Sequence, residues 1–163
     1  MTTMNDFEKM NWHDNAMHAF RIREGEDGYS GELDFDIDYI LEWLSPENNS
    51  FSFRLSPATL TFHGVSDLVI SINYAKATAC VQPMTIHEIH REIETRPNGY
   101  SFFNWNIEIN WPPQSFISFS STGFTQVLHG QPIVSGAQYL THSERQAALH
   151  LTHYSSGTPN GAP

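Results

Sequence analysis

From Leu33 to Trp43 the chain reads Leu-Asp-Phe-Asp-Ile-Asp-Tyr-Ile-Leu-Glu-Trp. Leu33, Phe35, Ile37, Tyr39, Leu41 and Trp43 occupy every second position, and Asp34, Asp36, Asp38 and Glu42 fill positions between them. Side chains alternate across a strand, so this run predicts a strand with one apolar face and one row of carboxylates. Similar alternation recurs from Ala16 to Arg23, at Phe51, Phe53 and Leu55, at Leu60 and Phe62, and at Leu68, Ile70, Ile72 and Tyr74. The clearest second case is Phe103, Trp105, Ile107, Ile109 and Trp111, interleaved with Asn104, Asn106, Glu108 and Asn110. A last strand is predicted over Phe116 to Thr125. Phe35, Ile37, Tyr39, Ile72, Trp105 and Ile107 are the expected core, with Trp43, Trp105 and Trp111 as its anchors.

Turn chemistry separates these runs. Asp27-Gly28 predicts a tight hairpin between the first strand and the Leu33 strand, and Ser45 to Ser50 forms a second turn cluster. Pro57 cannot donate to a sheet ladder and predicts a bulge, bend or edge. Residues 85 to 96 are ambiguous. Thr85 and Glu88 have capping-box spacing and Ile86, Ile89 and Ile93 recur at helical intervals, but Pro97-Asn98-Gly99 joins the segment directly to a plain strand. A hairpin arm is the favoured reading. Ser143 to Leu151 is expected to make one or two helical turns. The expected fold is all-β and mostly antiparallel: a meander of six or seven strands closed as a sandwich or flattened barrel, with at most one short helix.

With 163 residues, one domain is expected over residues 11–145, preceded by a flexible arm at 1–10 and followed by a poorly ordered tail at 146–163. The single cysteine, Cys80, and the absence of an apolar leader in Met1 to Met10 point to the cytoplasm, and no run approaches a membrane span. Formal charge is −10, from 18 acids against 8 Lys and Arg, and eleven of the acids precede residue 45. Nucleic-acid binding is disfavoured, because phosphate affinity comes from clustered Lys and Arg. A cationic protein partner is compatible with the charge, and so is simple solubility.

Asn11-Trp12-His13-Asp14 and the apolar-acidic strand ending in Glu42-Trp43 resemble a bacterial protein family to which no activity is attached. So do Ser56-Pro57-Ala58-Thr59-Leu60, Gly64-Val65-Ser66-Asp67-Leu68, Asn110-Trp111-Pro112 and Gly123-Phe124-Thr125-Gln126. The resemblance spans residues 11 to 145 and implies no catalytic residue. In charge and style the chain is also similar to small acidic β proteins of the bacterial immunity type.

Three readings compete for Asp34, Asp36, Asp38 and Glu42: a solvated face, a contact surface for a cationic protein, and a metal or catalytic carboxylate site. Neighbouring carboxylates 6.6–6.8 Å apart repel by about 0.6 kcal/mol in water, cheap enough for an exposed face. Strung along one strand, they do not converge as Ca²⁺ ligands must. His87 and His90 lack zinc-protease spacing, Cys80 has no evident activating neighbour, and no Gly-x-Ser-x-Gly elbow or phosphate loop is present. Adjacent His13 and Asp14 are a candidate acid–base pair. The functional expectation is a non-enzymatic acidic binding module, with no cofactor and no bound metal. The alternatives are a hydrolase-like enzyme using His13 and Asp14, and a self-associating structural protein.

Overall fold

A computed structural model describes residues 2–47, 50–77 and 80–154. The described residues contain ten strands: β1 Thr2–Met4, β2 Ala16–Glu24, β3 Gly31–Glu47, β4 Ser50–His63, β5 Ser66–Ser71, β6 Met84–Thr95, β7 Ser101–Trp111, β8 Ser115–Ser121, β9 Gly123–Leu128 and β10 Ile133–Ser135. One α-helix, α1, spans His142–Tyr154. All pairings are antiparallel and the sheet order is β1-β9-β4-β3-β2-β6-β7-β8-β5, with β10 added beside β4. The sheet is not closed into a barrel; it ends in β1 and β5.

The sheet bends at β2–β6, where only Ala16 and Met17 pair with Thr85 and Met84. Its halves fold onto each other. Phe62 of β4 lies 4.8 Å from the ring of Trp105 in β7 and 4.7 Å from that of Phe119 in β8, across strands that are not neighbours in the sheet. Leu33, Phe35, Ile37 and Tyr39 enter this core from β3, and Ile107 and Ile109 from β7. Ile72 packs against its margin. The ambiguous segment is β6, paired with β7.

Several expectations change. Residues 2–10 pack onto the sheet: β1 pairs with β9, and Phe7 meets Trp12 at a tilt and Trp105 edge-on, beneath the Arg91 guanidinium. The run Phe116 to Thr125 is two strands, broken at Thr122, so the count exceeds six or seven and the order is no simple meander. Pro57 lies inside β4, opposite Asp38, with no bulge. Its carbonyl accepts from His129 N at 2.7 Å, so its missing N–H faces the same side, in the gap between the β10 and β9 pairings. Residues 146–154 of the expected tail lie in α1; residues 155–163 lie outside the described residues, as do 48 and 49 of the second turn cluster.

Trp43 is the largest departure from the expected core. It is 48% exposed. The pairing shifts by one residue between Ile40 and Glu42, and this bulge at Leu41 exchanges the two faces of β3 beyond it. Ile40 and Trp43 therefore share the face of Asp36 and Asp38. There Ile40, Phe53, Leu55 and Leu140 form a second, smaller core under the chain that runs from β10 into α1.

Candidate functional site

Asp34, Asp36 and Asp38 lie opposite the apolar face of β3, while the bulge turns Glu42 to the other side; Asp34 and Asp38 are not in water, for both are buried. Strand β2 brings Arg21 and Arg23 beside Asp34, because Arg21 and Asp34 are cross-strand partners. Arg23 donates to both oxygens of Asp34, with Nη2 to Oδ1 at 2.9 Å. Thr61 of β4 donates at 2.8 Å and Arg21 Nη2 at 3.3 Å. Burial alone would raise the Asp34 pKa, but the bonds from Arg23 and Thr61 prevail and hold it below the ordinary carboxylate range. Glu32 accepts from His63 Nδ1 at 2.9 Å, which leaves His63 Nε2 to meet the Thr125 hydroxyl at 3.0 Å.

Asp38 is held from the other end of the chain. His18 Nε2 and the Leu140 backbone N–H each donate to Oδ2 at 2.8 Å, and Arg145 of α1 donates to Oδ1 and to Asp36 Oδ1. Helix α1 is placed to do this by a capping box. Thr141 Oγ1 accepts from Glu144 N at 3.3 Å and Glu144 Oε2 accepts from Thr141 N at 2.7 Å. Gly130 (φ +71°) lets the preceding loop pass against the helix, since a Cβ there would lie 2.1 Å from the Ala148 carbonyl oxygen.

The expectation that the whole stripe faces water is thus corrected. The chain neutralises it with its own arginines and adds a hydrogen bond from His18, because burying a carboxylate without a partner costs several kcal/mol. Glu42 is the exception: it is half-exposed, and Arg54 Nη2 pairs with it at 2.9 Å.

His13 and Asp14 come together at the corner where β2 begins. His13 Nε2 lies 3.5 Å from Asp14 Oδ2, while His13 Nδ1 donates to the His87 carbonyl at 2.7 Å. Asp14 adopts φ 62° and accepts from Gln138 Nε2 at 3.0 Å. In the same motif Trp12 Nε1 donates to Gln126 Oε1 at 2.8 Å inside the core. The corner is a junction joining β2, β6 and the segment before α1, and Asp14 holds Gln138 more closely than it holds the imidazole.

An uncompensated acidic surface lies elsewhere, on the outer face of β6 and β7. Ile89, Ile107 and Ile109 point into the core, so Glu88, Glu92 and Glu94 of β6 and Asn104, Asn106 and Glu108 of β7 point out. Glu88 and Glu108 are direct cross-strand partners. Among the described residues, the only ion-pair partner of these four glutamates is His90, 3.6 Å from Glu88 and 3.3 Å from Glu108. The sequence carried a signal for this: no Lys or Arg occurs between Arg96 and Arg145, so the strands beyond the β6–β7 turn contribute none.

Among the described residues no three His, Cys, Asp or Glu side chains converge as a metal site, and no helix is long and apolar enough to cross a membrane. Comparisons of the chain with protein-family models, curated proteins and solved structures return no match.

Proposed function

We propose that the chain is a non-enzymatic binding module that recognises a cationic protein through the outer face of β6 and β7. Masking a basic partner, as an immunity-type protein does, is one form of this role. The observation that carries the reading is the set Glu88, Glu92, Glu94 and Glu108, whose only ion-pair partner among the described residues is His90. Like charges directly opposite on a ladder destabilise a sheet, so Glu88 facing Glu108 works against the free protein. A cation arriving from outside relieves that repulsion. Asn106 on the same face adds a neutral hydrogen-bonding group between the charges, while Asn104 already donates to Glu94 and accepts from Ser120, each at 2.8 Å. Asp34 and Asp38 do not serve this role: both are buried, and their partners are already within the chain.

Surface plasmon resonance with lysine- and arginine-rich peptides tests the proposal. Binding is expected at low salt and should weaken as salt screens the charges. It should be lost when Glu88, Glu92, Glu94 and Glu108 are changed together to Gln. Equal binding by the Gln variant, or no binding by the wild type at low salt, rules the surface out.

A further inference from the structure

A groove of about 640 Å³ lies between α1 and the outer face of β2, β3 and β4, on the other side of the sandwich from the glutamate face. Its size falls in the range of small-molecule sites, about 300–1,000 Å³. Most polar groups around it are saturated. Asp34 accepts from Arg21, Arg23 and Thr61. Thr59 Oγ1 and His129 Nε2 hold each other at 2.8 Å.

Two groups of opposite charge keep unused capacity. Among the described residues Asp36 has one hydrogen-bond partner, Arg145, on Oδ1; its Oδ2 has none, and the side chain is 47% exposed. Arg21 is 70% exposed and makes a single contact, to Asp34 at 3.3 Å. Its remaining guanidinium N–H groups are open to a carboxylate. A purely cationic ligand in the groove would meet Arg21, and a purely anionic one would meet Asp36. Both are served by one ligand that carries both charges.

The spacing narrows the class. Arg21 stands opposite Asp34, and Asp36 lies two residues farther along β3, roughly 6.6–6.8 Å away. Two residues of extended peptide span about 7 Å. Ala19, opposite Asp36 on the same face of the sheet, and Leu149 of α1 are exposed and wall the groove with apolar surface. We infer that the groove binds a dipeptide-sized zwitterion, its ammonium on Asp36 Oδ2, its carboxylate on Arg21 and an apolar side chain against Ala19 and Leu149.

Isothermal titration calorimetry of the full chain with leucyl-leucine, its N-acetylated form and its C-amidated form provides the test. The free dipeptide is expected to bind with Kd of about 1 mM or tighter. Each blocked form should bind about tenfold more weakly, because each loses one charge-assisted contact. Arg21→Gln should abolish the preference for the free carboxylate, and Asp36→Asn the preference for the free ammonium. Arg21 is exposed, so its variant keeps the test valid even if Asp36→Asn disturbs α1. Absence of binding at about 10 mM, or blocked forms that bind as well as the free dipeptide, would overturn the inference.

Discussion

Arg145 of α1 donates to Asp38 of β3, 107 residues earlier in the chain, and Asp38 is fully buried. The contact fastens the C-terminal segment across the outer face of the sheet, and with His18 and the Leu140 N–H it completes the carboxylate's shell. Removing one partner of a buried pair leaves the other charge uncompensated. Arg145→Ala should therefore destabilise the fold by about 3–5 kcal/mol in urea unfolding. A change below about 0.5 kcal/mol would mean that Asp38 does not depend on α1.

Acid should weaken the protein in two stages. Burial holds the His129 imidazole below its ordinary 6.5, against a smaller opposing pull from Asp36. The unfolded chain therefore takes up that proton first, and stability declines as pH falls from about 6.5 toward the lowered native value. Asp34 follows. Its native carboxyl lies below the ordinary 3.8, so the stability it contributes is complete above that value and is lost as pH drops through the native one. Chemical denaturation across pH should show His129→Gln flattening the first stage only and Asp34→Asn the second only.

The tryptophans offer a packing test. Trp105 is buried among Phe62, Phe119 and Phe124, and Trp43 is half-exposed against Phe53. Trp105→Ala should cost about 3–5 kcal/mol and Trp43→Ala less than half of that. Acrylamide should quench Trp43 fluorescence strongly and Trp105 weakly, as single-tryptophan variants would show.

What the sequence disclosed follows the range of the forces involved. Period-two alternation is local, so β3 and β7 and most of their buried residues were legible, and the turn at Pro97-Asn98-Gly99 identified β6 as a strand. The bulge at Leu41 is marked in the sequence only by Ile40, an apolar residue on the aspartate face, and one such break does not foretell that Trp43 changes faces. The aspartate stripe was visible, but its neutralisation was not, because Arg145 is distant in sequence and reaches Asp38 only once α1 has docked. The start of that helix is written in the capping box Thr141-x-x-Glu144. The glutamate face needed the β6–β7 register, which sets Glu88 beside Glu108 after two local shifts.

The acids fall into two sets with different roles, and one paired measurement separates them: unfolding free energy and cationic-peptide binding for two variants. Asp34→Asn, Asp36→Asn and Asp38→Asn together should lower stability by at least about 3 kcal/mol, since Arg23 and Arg145 lose their partners. In the molecules that remain folded, peptide binding should be retained. Glu88, Glu92, Glu94 and Glu108 changed to Gln should stay within about 0.5 kcal/mol of wild type, as exposed charges contribute little to folding. That variant should lose the peptide. A triple Asn variant that folds with wild-type stability but no longer binds, beside a Gln variant that still does, would contradict the account and return recognition to β3.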